Sequence, residues 1–337
     1  MIGIVGAGTI VTAAHLPAYA KLNLPVVSLY DVDARRAAAA AKQWELDQPN
    51  TLDELILDDR VQIVDIAVPP GAQPDIAKMA LRAGKHVLAQ KPLARTSDLA
   101  VEMVALAEES NRHLVVNQQM RWTPVARAIR KGIEDDSLGR LEMLTFDCDI
   151  SILGPELGAS WGATEPRGMV ALNSIHLLDT ARYFMGEPVS VTAVFRREAR
   201  LGMAGETAAI IALDFAEGAK VWILDCWNLI ADHRAAFQAV GSNGAFRGHF
   251  GLWTNYPTGA ADAIEFTPRD GKGEWQTVPV TERWIPDAFV GPIGELVAAI
   301  QGGPTPSTAG SDNLKTLKLV DAVYESAATG QRIDLTP

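Results

Sequence analysis

A chain of 337 residues with 48% hydrophobic content is long enough for two domains with real cores. Its formal net charge of -11 excludes partners that need a basic face, namely nucleic acid or an anionic membrane. Two cysteines, Cys148 and Cys226, make neither a disulfide framework nor a zinc site, so a reducing cytoplasm is expected and no metal is called for. The start has no basic leader, and no stretch is long and apolar enough to span a bilayer.

Residues 1–5 (M-I-G-I-V) read as a strand that stops at Gly6-Ala7-Gly8, with helix-like sequence from Thr9 and Ile10 onward. Gly6 and Gly8 have the spacing of the first two glycines of a dinucleotide fingerprint. The first permits a tight turn, and the second lets a pyrophosphate approach N–H groups at a helix's positive end. Val11 stands where the third glycine would be, so the motif alone is weak. Residues 25–30 (P-V-V-S-L-Y) form a second strand ending at Asp31, about 20 residues past the loop. A carboxylate there accepts both adenosine ribose hydroxyls and repels a 2′-phosphate, which favours NAD over NADP. Arg35 and Arg36 follow closely and offer a phosphate partner, keeping NADP as the minor alternative. The other reading of Asp31 is an N-cap for the helix that follows.

Residues 34–43 are an alanine-rich helix, and 51–57 a short one with Asp53 and Glu54 early in it. A third strand, 61–68 (V-Q-I-V-D-I-A-V), is stopped by Pro69, Pro70 and Gly71. A helix over 74–83 closes at Gly84, and a fourth strand over 85–89 ends at Gln90-Lys91-Pro92. A helix over 97–110, capped by Thr96 or Ser97, leads to a fifth strand over 112–117. Strand and helix alternation of this kind predicts a doubly wound parallel sheet, a Rossmann domain over residues 1–120. In such a sheet the carboxyl ends of the strands face the cofactor. Val68, Pro69, Pro70, Gln90, Lys91 and Asn117 therefore join Gly6, Gly8, Thr9, Ile10 and Asp31 as expected cofactor contacts.

Near Gly139 the pattern changes to strand-like runs over 141–150, 189–197, 208–215, 219–225, 235–240 and 263–268, with one amphipathic helix over 171–185. Residues 121–337 are expected to form an α+β domain with an open-faced, largely antiparallel sheet. Helices over 286–301 and 309–328 close the chain and pack back on either domain.

Lys91, just past a strand end on the cofactor side, is a candidate to donate to a substrate hydroxyl, burial and a positive nicotinamide lowering its proton affinity. The alternative is a solvated surface lysine. Helical spacing puts Asn173, His176 and Asp179 or Thr180 on one side of the 171–185 helix, with Leu172, Ile175 and Leu178 available to a core. His176 is a natural proton acceptor for alcohol oxidation, or else a histidine satisfied at a domain interface. Arg121 and Trp122 either hold a polyol or seal the domain junction. Trp161 and Arg167, in the glycine- and proline-rich loop 154–168, are further substrate candidates, Trp161 as a stacking platform.

With these residues placed, the chain resembles the glucose-fructose oxidoreductase, inositol dehydrogenase and rhizopine catabolism family of NAD(P)-dependent oxidoreductases. The likeness spans I-V-G-A-G-T-I at the start, the acidic end of strand two and A-Q-K-P-L-A at 89–94. It continues through N-Q-Q-M-R-W-T-P at 117–124 and H-L-L-D-T-A-R-Y-F-M-G at 176–186. The resemblance implies a catalytic lysine in a Glu-Lys-Pro motif, a histidine aided by an aspartate, and oligomer contacts through the open sheet. Two positions depart from it: Gln90 replaces the glutamate, and Leu172 stands where many members carry the aspartate. The roles of Lys91 and His176 carry over by position; the aspartate's does not, and Asn173 is the adjacent polar group. The expected activity is oxidation of a sugar or polyol hydroxyl, an aldose to its lactone among the options, by a homodimer or homotetramer. The alternatives are an NAD-dependent hydrolase working through transient oxidation and a non-catalytic NAD-binding sensor or co-repressor.

Overall fold

The computed structural model describes residues 1–151, 161–228, 233–254 and 256–335. The chain divides into two compact units, Met1–Gln119 with Ile285–Leu317, and Met120–Trp284 with Lys318–Pro337.

In the first unit, β1 (Ile2–Val5), β2 (Val26–Tyr30), β3 (Ile63–Ile66), β4 (His86–Ala89) and β5 (Leu114–Val116) form a parallel sheet. The strand order is β2-β1-β3-β4-β5. Every residue of β1 and β3 is buried, as helices on both faces require. The helices Ala34–Trp44, Leu52–Leu57, Gln73–Arg82 and Ser97–Glu109 return the chain between strands. Two of them are capped by side chains: Asp33 accepts from the N–H groups of Arg35 and Arg36, and Thr51 from that of Glu54. Single bridges extend the sheet at either edge, Ser28 to Asp47 beside β2 and Val115 to Ala309 beside β5. Chain direction across the sheet reverses between β1 and β3. That switch point is where open α/β sheets leave a crevice for ligands at the strands' carboxyl ends.

The second unit is built on β6 (Leu141–Ser151), β7 (Ser190–Arg196), β8 (Ala208–Asp214), β9 (Lys220–Asn228), β10 (Arg234–Gly241), β11 (Gly244–His249), β12 (Ala263–Pro268), β13 (Gln276–Val278) and β14 (Ile333–Asp334). They form one sheet in the order β13-β12-β11-β10-β6-β9-β8-β7-β14. Neighbours are antiparallel except β6 and β9, which run parallel. Strands β11, β13 and β14 and the helix Pro124–Glu134 add to the expected elements. The helix Ile175–Met185 packs on β6, and the π-helical turn Val170–Ser174 that opens it packs on β9. Apolar side chains stand exposed on β7, β8 and β9: Val194 pairs with Ile210, Ile210 with Leu224, and Ala212 with Trp222. No helix of the described residues is long and apolar enough to cross a membrane, and no group of three or more His, Cys, Asp and Glu among them could hold a metal ion.

Candidate active site

The loop after β1 meets the loop after β3 at Gly6. Gly6 has φ +112°, and a Cβ there would lie 2.3 Å from the carbonyl oxygen of Ala67, so only glycine fits. Gly8 is different: nothing lies within 4 Å of the position its Cβ would take. The helix behind it begins with a π-helical turn, Val11–His15, in which Val11 is fully buried. Thr9 is exposed and Ile10 partly so at the helix start, where first-turn N–H groups lack intrahelical acceptors. Asp31, at the end of β2, reaches back to this loop. Its Oδ2 accepts from the Ala7 N–H at 2.7 Å and its Oδ1 from the Asp33 N–H at 2.8 Å. Asp33, not Asp31, caps the following helix. Each Asp31 oxygen keeps a second lone pair, so the carboxylate can brace the loop and still accept ribose hydroxyls. Open space over Gly8, helix N–H groups and an acid at the end of the neighbouring strand β2 fit a dinucleotide. Val68 and Pro69 are partly exposed beside this loop, and Pro70 is buried.

Lys91 follows β4. It is partly buried, and desolvation lowers its pKa to about 8. Its backbone N–H donates to Oε1 of Gln90 at 2.9 Å, and Nε2 of Gln73 ties down the next residue through the Pro92 carbonyl at 2.7 Å. Gln90 and Asn117 are placed otherwise than expected. Both are buried, and their amides meet Nε2 of His15 at 3.0 and 3.2 Å. The carboxylate bonded to Nδ1 of His15 is Asp65 on β3, a residue not singled out from the sequence.

In the second unit the helix that carries Asn173 and His176 is anchored at its start by Glu206. The Glu206 carboxylate accepts from the N–H groups of Gly168 and Val170 at 3.1 and 2.8 Å and from the Tyr324 hydroxyl at 2.7 Å. Negative charge at a helix N-terminus offsets the macrodipole. One turn on, Asn173 Nδ2 donates to both oxygens of Asp225 at 3.1 and 2.9 Å, and Ser174 Oγ donates to it at 2.6 Å. Asp225 on β9 is fully buried, and burial pushes its pKa up to about 6 against the pull of those donors. A carboxylate only accepts, so the Asn173 amide is oriented with its NH₂ toward Asp225, leaving Oδ1 as the outward acceptor. With Leu172 on the helix, the carboxylate thus comes from the sheet below and acts on Asn173. His176 is buried, its ring edge-on to Trp284 with centroids 6.1 Å apart.

Two expected substrate residues are engaged elsewhere. Arg121 is buried and grips Asp179 in a bidentate pair, Nε to Oδ2 at 2.7 Å and Nη2 to Oδ1 at 2.8 Å. Its guanidinium also lies over the Tyr183 ring at 5.2 Å. Asp179 is therefore the partner of Arg121 and not part of an open polar stripe. Arg167 pairs with Asp321 and lies 4.5 Å over the Tyr324 ring, both on the helix Gly310–Thr329. Trp161, at the head of the short helix Trp161–Thr164, is 47% exposed, as a stacking platform must be, and Trp122 is partly exposed. Residues 154–160 of the loop before it lie outside the described residues.

Comparison with known proteins decides the lineage. Residues 1–118 match the model of an oxidoreductase family's NAD-binding Rossmann fold, and residues 130–335 match its C-terminal α/β domain. The chain belongs to the Gfo/Idh/MocA oxidoreductase family. As a member it is an oxidoreductase with an NAD-binding Rossmann domain. Within the family it is 27% identical to the D-apiose dehydrogenase of Paraburkholderia graminis, over 95% of this chain and 86% of that protein. It is 28% identical to the 1,5-anhydro-D-fructose reductase of Ensifer adhaerens, over 99% of this chain and 98% of that one. The fold is shared with an oxidoreductase from Agrobacterium radiobacter solved with NAD+, L-tartaric acid and magnesium. That match has a TM-score of 0.83 at 23% identity, covering 99% of this chain and 97% of that one.

Proposed function

We propose that the protein is an NAD-dependent dehydrogenase that oxidises a hydroxyl of a sugar or polyol, in the cytoplasm. Lys91 carries this reading: an ammonium at the carboxyl end of β4 with a pKa of about 8 can hold a substrate oxygen and share a proton with it near neutral pH. Bound NAD supplies the hydride acceptor. His176 takes the proton of the reacting hydroxyl, its ring steadied by Trp284. Asn173, its NH₂ committed to Asp225, offers Oδ1 to a neighbouring substrate hydroxyl. Trp161 and Trp122 offer aromatic surface for the apolar face of a sugar ring. Relatives named for D-apiose and 1,5-anhydro-D-fructose support the substrate class, and Asp31 supports NAD over NADP.

The working form is a homodimer or homotetramer assembled through the exposed apolar rows of β7, β8 and β9. Val194 is 64% exposed, Ile210 60% and Trp222 49%, and a second copy of the same sheet face would cover them. A double substitution of Ile210 and Trp222 to lysine should yield monomers in analytical ultracentrifugation.

The deciding experiment is a spectrophotometric panel of aldoses, inositols and polyols with NAD and NADP in parallel. Stoichiometric reduced nicotinamide, with NAD preferred, is the expected result. Catalytic rather than stoichiometric use of NAD would make the protein a hydrolase, and tight NAD binding with no turnover a sensor.

A further inference from the structure

A chain of buried polar groups in the first unit ends on the main chain of Lys91. Asp65, in the middle strand of the parallel sheet, is fully buried, and its Oδ2 is met by the Tyr19 hydroxyl at 2.6 Å and by Nδ1 of His15 at 2.7 Å. His15 is buried in the π-helical turn behind the glycine loop. On its other side Nε2 meets the side-chain amides of Gln90 at 3.0 Å and Asn117 at 3.2 Å. Gln90 in turn accepts the Lys91 N–H.

The direction of every bond follows from one group that cannot reverse. The Lys91 backbone N–H only donates, so the Gln90 atom facing it is Oε1, and the NH₂ of Gln90 faces His15. An NH₂ only donates, so Nε2 of His15 must be the unprotonated acceptor. The ring proton then sits on Nδ1 and is given to Asp65, which only accepts. A proton on Nε2 would face the fixed NH₂ of Gln90, so the amide orientation at position 90 places the ring proton on Nδ1.

We infer that His15, oriented by Asp65 and Tyr19, is a positioning residue that acts through Gln90 to fix the backbone at Lys91, and that the amide at position 90 is what holds the ring proton of His15 on Nδ1. The inference rests on the proposed role of Lys91 in the reaction. A carboxylate at position 90 would accept from both sides, and His15 would have to carry a second proton to serve it. The network can therefore be rewired by adding one charge at position 90. In Asp65→Asn the amide oxygen can still accept from both Tyr19 and Nδ1 of His15, with its NH₂ in the place of Oδ1, which has no hydrogen-bond partner among the described residues, so the tautomer is kept and only the charge that steadies it is lost. In Gln90→Glu a proton on Nε2 gains a carboxylate acceptor, and Asn117, whose buried Oδ1 has no hydrogen-bond partner among the described residues, can turn its amide to match.

The test combines ¹⁵N NMR of the histidine rings in the NAD-bound protein with steady-state kinetics on the best panel substrate. Wild-type His15 should be protonated on Nδ1 alone, and Gln90→Glu should protonate both nitrogens. Each single variant should lower kcat about tenfold, the usual scale for an outer-shell partner, with little change in KM. In Gln90→Glu the loss should come together with the second ring proton on His15, which a merely structural role for position 90 would not produce. A proton on Nε2 in the wild type, or undiminished turnover in Gln90→Glu, overturns the inference. Undiminished turnover in Lys91→Ala would strike the functional reading instead, since the ring protonation is measured without reference to activity.

Discussion

The two units each bury a strand carboxylate beneath a π-helical turn, and they use it differently. In the first, Asp65 on β3 bonds His15 of the turn 11–15, and the ring and the Gln90 amide connect it to the Lys91 N–H. In the second, Asp225 on β9 bonds Asn173 and Ser174 of the turn 170–174 directly. An imidazole can move its proton from one nitrogen to the other, so the first arrangement is a relay whose direction depends on what lies at its far end. Amide and hydroxyl donors cannot be recast so easily, so the second is a clamp whose strength depends on the ionisation of the acid itself. π-turns recur at functional sites because the extra residue frees the backbone to present side chains that a regular helix would not align.

A third buried acid, Asp179, serves as a reference because it has a full guanidinium partner. Arg121→Met should cause the largest change in stability, a loss of about 3–5 kcal/mol in urea unfolding, since it strands a buried charge. Most of that loss should return in a double variant that also carries Asp179→Leu. Failure to recover would mean that Arg121 matters through its stacking on Tyr183 and not through the ion pair.

For Asp225 the expectation is a dependence on pH. Its folded pKa of about 6 lies above the ordinary 3.8, so the folded state holds the proton more tightly than the unfolded chain. Its contribution to stability is full below 3.8 and declines as pH rises through about 6, by on the order of 3 kcal/mol in all. Asp225→Asn should flatten that slope in unfolding curves taken across the interval. A slope unchanged by the substitution would remove burial of Asp225 as its source.

The glycines sharpen the contrast within the first unit on a smaller scale. Gly6→Ala forces a side chain against the Ala67 carbonyl at positive φ and should cost more than about 1 kcal/mol of stability. Gly8→Ala meets no protein atom, so the fold should be unaffected while the dissociation constant for NAD, read by isothermal titration, rises roughly tenfold. Equal effects of the two on unfolding would deny Gly8 its place in the cofactor loop.

Much of this was legible in the sequence. The alternating strands and helices of the first 117 residues and the helix carrying His176 follow from periodicity and stop signals. Strand β11 was not, because G-A-F-R-G-H carries glycines near both ends and reads as a turn; it is a strand because β10 and β12 flank it. Strands β13 and β14 are too short to show a period of two. The helix Pro124–Glu134 did leave a signal, Thr123 as cap with proline in the first turn. Among site residues, Asp65 and Asp225 were the omissions. Each is a lone acid inside an apolar strand, V-Q-I-V-D-I-A-V and K-V-W-I-L-D-C, and such an acid must find donors once buried. That pattern was visible; which residues supply the donors is set by pairings far apart in the chain. The same limit explains Arg121, whose partner Asp179 lies on another helix.

The proposed function requires Lys91 and His176 to act in one reaction. The most direct measurement is kcat for Lys91→Ala, His176→Ala and the double variant on the best substrate of the panel, with NAD saturating. Each single substitution should lower kcat by about 10²-fold or more, and the double should fall well short of the product of the two, because groups acting on one transition state are not additive. Near-normal turnover in both single variants would contradict the assignment.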